Sequence, residues 1–117
     1  MPSWGDDNFS NDGAREYLEL RAAQLVATIS EIVANKQRMR PNEDGEGMLM
    51  PSVELLALLC ERYGAVPPHL AIIRQWSDKY LNAFDKADTI AEPTPGFRVA
   101  RRKVIQKTFR WLEGLAE

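Results

Sequence analysis

The sequence predicts an all-α fold: a single compact domain of four helices, mostly antiparallel, with an amino-terminal arm packed on the bundle. Apolar residues recur at helical spacing in four segments, and no segment alternates apolar and polar residues as a strand does. Prolines and glycines cluster between these segments. The 117 residues, 44% hydrophobic and 27% charged, fit one globular domain in length and composition.

The first helix is predicted over 12–34. Asn11 is suited to cap its amino terminus, and Asp12 places a negative charge in the first turn, where the helix dipole favours it. The apolar positions between Leu18 and Val33 cover about half of the helix circumference. We therefore expect this helix to lie centrally and to contact two neighbours.

A long connection over 36–51 precedes a second helix over 53–63. Ser52 is expected to cap this helix and Gly64 to end it. The helix carries leucines on most sides and little polar surface, so we expect it to be largely covered. Four residues are expected to interrupt regular structure in the connection, namely Pro41, Gly45, Gly47 and Pro51.

The third helix is predicted over 68–91, after two prolines that a first turn tolerates. The fourth is predicted over 95–116, with Thr94 as its cap and Pro95 as its first residue. Short links between the second, third and fourth helices favour antiparallel neighbours.

Net charge and cysteine content favour a cytoplasmic protein. The net charge of −2 gives no general attraction to nucleic acid or to an anionic membrane. Cys60 is the only cysteine, so neither an intramolecular disulfide nor a thiolate zinc cluster is expected. Residues 1–10 are acidic and lack an apolar stretch, and no run approaches the ~18 apolar residues of a membrane helix.

No catalytic residue, metal site or cofactor is predicted. His69, the only histidine, is expected on the surface, and Cys60 is expected to act as a small hydrophobic residue among leucines. One set of residues has the spacing of a calcium loop: Asn8, Ser10, Asp12, Gly13 and Glu19. Helix capping explains Asn11 and Asp12 without a metal ion, so capping is the interpretation we favour.

The strongest charge signal lies in the fourth helix, where six basic residues occur with no acidic residue between them: Arg98, Arg101, Arg102, Lys103, Lys107 and Arg110. Most are expected on the arc opposite Val104, Phe109 and Leu112. A face that is solvated, or balanced by acidic residues of the amino-terminal quarter, is the first interpretation. A protein-binding face and a nucleic-acid-binding face are the two alternatives.

The amino-terminal motif is Trp4-Gly5, then Phe9, then Asn11-Asp12. It resembles the opening of an uncharacterised bacterial family, domain-of-unknown-function family number 4259, and a looser likeness continues over 51–76. The resemblance implies a bacterial origin and a shared fold, but no activity. We interpret the motif as structural, since a buried Trp4 and Phe9 would clamp the arm to the bundle while Asn11 caps the first helix.

These observations favour a non-enzymatic module that binds another protein, in its finer form an inhibitor or immunity-type protein of a bacterial toxin system. The alternative is a nucleic-acid-associated protein that uses the basic fourth helix. An enzyme of an unrecognised type ranks third.

Overall fold

The computed structural model describes residues 7–87 and 93–116, and within them it contains helices and no strand, which confirms the all-α prediction. The four α-helices are α1 (Asp12–Val33), α2 (Met50–Tyr63), α3 (Leu70–Lys86) and α4 (Phe97–Leu115). A π-helical segment, Pro41–Leu49, precedes α2 and is called the π segment below. None of the helices in the described ranges is long and apolar enough to span a membrane.

The four helices form a square in cross-section, in which α1 and α4 each pack against both α2 and α3. α3 and α4 are antiparallel, because Arg74 near the start of α3 pairs with Glu113 near the end of α4 at 3.5 Å. α2 and α4 run in the same direction, since Trp111 near the end of α4 donates to Glu61 near the end of α2. In the described ranges α2 and α3 make no close backbone approach and lie on a diagonal, so the prediction that they are antiparallel neighbours is wrong.

The core is built from aromatic and aliphatic side chains of every helix. Tyr80 and Phe84 of α3 pack with their ring centroids 6.4 Å apart, and Phe109 of α4 is fully buried. Burial of each such side chain contributes about 1.5–3 kcal/mol relative to exposure. The periodic apolar residues of the sequence therefore hold the bundle together.

The described part of the amino-terminal arm packs on the bundle through Phe9, whose ring centroid lies 4.7 Å from that of Tyr63. Asn11 caps α1 as predicted, because its Oδ1 accepts a hydrogen bond of 2.8 Å from the backbone N–H of Ala14. Arg15 donates to the carbonyl oxygen of Tyr63, which shows that α1 and α2 are antiparallel. Trp4 lies outside the described residues.

The connection over 36–51 contains helical turns that were not expected, with a kink at Glu43, whose φ of −102° and ψ of −120° are non-helical. The π segment runs directly into α2, and the N–H of Met50 bonds back to the carbonyl oxygen of Gly45. The prediction that Ser52 caps α2 is wrong, because the helix begins at Met50 and Ser52 is buried within it. Burial of Leu49 and Met50 favours the earlier start, and Pro51 fits there because a first-turn residue needs no intrahelical N–H bond.

Gly64 ends α2 as predicted, with a positive φ of 77° that residues with a side chain rarely adopt. α3 begins at Leu70, and the His69 side chain caps it by accepting from the N–H of Ala71 at 3.1 Å. α3 ends at Lys86, five residues short of the predicted 91, and residues 88–92 lie outside the described ranges. His69 is exposed, as expected.

α4 begins two residues later than predicted, at Phe97 instead of Pro95. Gly96 precedes it with a φ of 82°. The prediction that the Thr94 side chain caps this helix is wrong, since it is the Thr94 carbonyl oxygen that accepts from the N–H of Phe97, at 3.1 Å.

Cys60 should be inert to thiol reagents while the protein is folded. The side chain is buried on α2, and burial, with a further contribution from Glu19, raises the pKa of the thiol to about 11. Only the thiolate is nucleophilic, and almost none is present at neutral pH. We expect labelling by an aromatic disulfide reagent to proceed no faster than unfolding, and to be immediate in denaturant. Rapid stoichiometric labelling of the folded protein would contradict this.

Candidate partner-binding surface

The six basic residues predicted as a single face of α4 fall into two groups. Arg98, Arg101 and Arg102 turn toward neighbouring elements and make contacts there. The second group consists of Lys103, Lys107 and Arg110, which are exposed. The prediction that most of the six lie on the arc opposite Val104, Phe109 and Leu112 is wrong, because only the second group is opposite the buried Phe109 and Leu112, and Val104 is itself 49% exposed.

Arg98 ties the start of α4 to the end of α3. Its Nη2 donates to the carbonyl oxygens of Phe84 at 2.9 Å and Asp85 at 3.1 Å, and its guanidinium lies 5.7 Å from the centroid of the Phe84 ring. The last carbonyl groups of a helix lack intrahelical partners and carry partial negative charge, so a cation is favourable there. Arg98 acts as a structural clamp.

Arg102 forms a two-point ion pair with Asp85, with Nε–Oδ1 at 2.7 Å and Nη2–Oδ2 at 2.9 Å. The hydrogen bond from Arg102 holds the pKa of the Asp85 carboxyl below its ordinary value. The same bond raises the pKa of Arg102. This pair joins α3 to α4 on the side away from α2.

Arg101 pairs with Glu46 of the π segment. Its Nε donates to Oε1 of Glu46, and its Nη2 lies 3.2 Å from Oε2. The same carboxylate accepts a hydrogen bond of 2.8 Å from the hydroxyl of the fully buried Tyr80. Burial first, and then this bond to Glu46, raises the pKa of Tyr80, while the bond to Glu46 raises that of Arg101. One carboxylate thus links the π segment, α3 and α4.

The carboxylates that balance the basic residues of α4 are not the ones that the sequence predicted. Within the described residues, the carboxylates that pair with basic residues of α4 are Glu46 and Asp85, and neither belongs to the amino-terminal quarter. Glu46 was not predicted to be a site residue, because it lies in a segment expected to lack regular structure. Its one local signal is an acidic residue between two glycines, which is a weak indication of a site.

The side of α2 that faces away from α1 is not covered, contrary to expectation. Leu55 and Leu58 are 51% and 41% exposed, and Val104 of the adjacent α4 is 49% exposed. A groove of about 210 Å³ lies between the two helices and is lined by seven residues: Glu46, Met50, Pro51, Glu54, Arg101, Val104 and Thr108. Leu58 follows Pro51 by seven positions and so lies on the same side of α2.

Lys103, Lys107 and Arg110 follow each other at i, i+4 and i+7 and form a stripe beside this groove. None of the three side chains makes a hydrogen bond or ion pair in the described part of the chain. We call the outer face the surface formed by six residues, namely Leu55, Leu58, Val104, Lys103, Lys107 and Arg110. Glu54 of α2 lines the groove itself, and Glu61 of α2 accepts a hydrogen bond from Trp111 of α4.

The described residues hold no group of three or more His, Cys, Asp or Glu side chains that could bind a metal ion. The outer face itself presents exposed apolar side chains and positive charge.

A scan with protein-family models, a search of curated proteins and a search of solved structures each found no match. The resemblance of the amino-terminal motif to the uncharacterised bacterial family stays a prediction. Of the motif residues in the described ranges, Phe9 packs on Tyr63, Asn11 caps α1 and Asp12 is its first residue. Trp4 and Gly5 lie outside those ranges.

Proposed function

We propose that this protein is a non-enzymatic interaction module that binds another protein through the outer face. The observation that carries the proposal is the exposure of Leu55 and Leu58 on a helix whose sequence is apolar on most sides. α1 and α4 cover the other sides of α2. A partner surface that covered the remaining side would bury Leu55 and Leu58, as the apolar sequence of α2 favours.

The chemistry of the outer face indicates the kind of partner. Burying the exposed halves of Leu55, Leu58 and Val104 would contribute about 1 kcal/mol each. The adjacent stripe of three cations would attract acidic residues and speed the encounter with a negatively charged partner. The partner is therefore a protein with an apolar centre flanked by carboxylates.

In its finer form, the proposal is a small inhibitor or immunity-type protein for a bacterial toxin, acting in the cytoplasm. Its support is the positive stripe beside an apolar surface and the resemblance to a bacterial family. Cys60, present as a buried free thiol, fits a reducing compartment.

Nucleic-acid binding through α4 is the alternative, and the geometry favours it less. Arg98, Arg101 and Arg102 are engaged within the protein, which leaves three exposed cations to contact phosphates. Since each neutralised phosphate contributes about −0.9 to the slope of log affinity against log salt, that slope should be no steeper than about −3.

The test uses the purified protein and the purified product of each neighbouring gene, mixed pairwise and followed by size-exclusion chromatography and titration calorimetry. We expect one such complex, and expect Leu58→Asp to weaken it by about 30-fold or more, as for a central interface residue. Reversal of charge in Lys103→Glu/Lys107→Glu should slow association and reduce its dependence on salt.

Leu20→Asp is the matched control, because Leu20 is similarly exposed, at 54%, but lies on α1. It should leave the complex unchanged. A complex that Leu58→Asp does not weaken would contradict the proposed surface. A tight, sequence-selective complex with duplex DNA at physiological salt would favour the alternative instead.

A further inference from the structure

A larger cavity, of about 650 Å³, lies at the end of the bundle where α1 and α3 finish. Four basic side chains line it: Lys36 and Arg40 from the connection after α1, and Lys79 and Lys86 from α3. It shares no residue with the outer face. Its volume is within the range of about 300–1,000 Å³ that is typical of small-molecule sites.

Within the described residues, the four cations have no intramolecular partner and no carboxylate lines the cavity. Two of the acidic residues close to it in the sequence are engaged elsewhere, since Asp44 pairs with Arg38 at 2.8 Å and Asp85 pairs with Arg102 at 2.7 Å. Asp44 and Asp85 therefore do not neutralise the positive charge of the cavity.

Stabilisation of helix ends explains part of this charge but not all of it. The carboxyl terminus of a helix carries about half a negative elementary charge, so the ends of α1 and α3 together supply about one. Four cations against one negative charge leave an excess of about three positive charges. An excess of this size around a concave surface favours a multiply charged anion.

The floor of the cavity is apolar. Val33 and Met39 are buried core residues that reach it, and Ala83 adjoins them. The amides of Asn42 and Asn82 stand on the wall, where they add hydrogen-bonding groups of both kinds. Next to Asn42, Glu43 departs from helical geometry with φ −102° and ψ −120°, so the chain is kinked beside the cavity.

We propose that this cavity binds a phosphorylated small molecule with an apolar or aromatic body. The four cations hold the phosphoryl groups, because ammonium and guanidinium groups are strong donors to phosphate oxygens. Val33, Met39 and Ala83 contact the body of the ligand. A nucleotide is the ligand of this class that we use as a probe.

The experiment measures binding of three probes to the full-length protein by calorimetry at low salt: ATP, tripolyphosphate and adenosine. Tripolyphosphate should bind through charge alone, ATP should bind more tightly, and adenosine should bind weakly or not at all. Failure of both ATP and tripolyphosphate to bind would overturn the proposal. ATP binding no tighter than tripolyphosphate would overturn the role given to the apolar floor.

Paired variants separate a built site from general electrostatic attraction. Lys79→Gln/Lys86→Gln removes two positive charges from the cavity, and Lys103→Gln/Lys107→Gln removes two from the outer face. All four residues are exposed, so both variants should fold. We expect the first pair to weaken ATP binding about tenfold or more and the second to change it less than twofold. Equal weakening by both pairs would overturn the proposal and leave the proposed protein-binding function untouched.

Discussion

Gly45→Ala should lower the free energy of unfolding by about 3 kcal/mol or more, which is a large share of the 5–15 kcal/mol typical of a domain. A Cβ atom at Gly45 would lie 2.5 Å from the carbonyl oxygen of Met39, 2.9 Å from that of Arg40 and 2.8 Å from Cε1 of Tyr80. Two of these atoms are backbone, and Tyr80 is fully buried, so none can move away easily. Urea denaturation followed by circular dichroism would measure the loss.

Gly47→Ala, two residues along the same π segment, is the matched control. A Cβ there meets nothing within 4 Å. Removing a flexible glycine from a helical segment should leave stability unchanged or raise it by up to about 1 kcal/mol. The two substitutions are chemically identical, but only Gly45→Ala should lower the stability. Equal, small effects at both positions would show that the π segment does not pack closely against Tyr80.

The sequence predicted helix boundaries correctly where the residue that sets the boundary lies beside it in the chain. Asn11 caps α1 through its own side chain, and Gly64 ends α2 because its backbone adopts a positive φ. Each signal lies within a few residues of the boundary that it sets. The all-α fold follows from the apolar periodicity for the same reason.

The π segment was missed because its structure depends on contacts distant in sequence. Gly45 is required there by its approach to Tyr80, which lies on α3. A segment with glycine at two positions and proline at its start has the composition of a loop, and neither period of 3.6 nor of 2 reveals π-helical turns. Only the buried neighbours Leu49 and Met50 pointed to a continuous helix.

The division of the basic residues of α4 was partly predictable. Arg98 and Arg101 precede the buried Ile105 by seven and four positions, so helical geometry places all three on one side. The sequence alone could not supply their partners, because Phe84, Asp85 and Glu46 belong to other elements. The bare side of α2 was unpredictable for a similar reason, since an apolar helix does not reveal which of its sides the fold will cover.

Glu46→Ala should lower the free energy of unfolding by about 2 kcal/mol, because it leaves the hydroxyl of Tyr80 and the guanidinium of Arg101 without their acceptor. The full cost of breaking a buried pair, 3–5 kcal/mol, is not expected. The side chains of Arg101 and Glu46 remain 25% and 27% exposed, so water compensates part of the loss.

A double-mutant cycle of Glu46→Ala and Arg101→Ala should give a coupling of about 1–2 kcal/mol, measured by urea denaturation. The control cycle uses Asp85→Ala and Arg102→Ala, a pair with the same two-point geometry but with the arginine and carboxylate side chains 37% and 46% exposed. That pair should give a clearly smaller coupling, because solvent screens it more fully. If the two cycles gave the same coupling, burial would not be what distinguishes Glu46, and the carboxylate would not be the link between the π segment, α3 and α4.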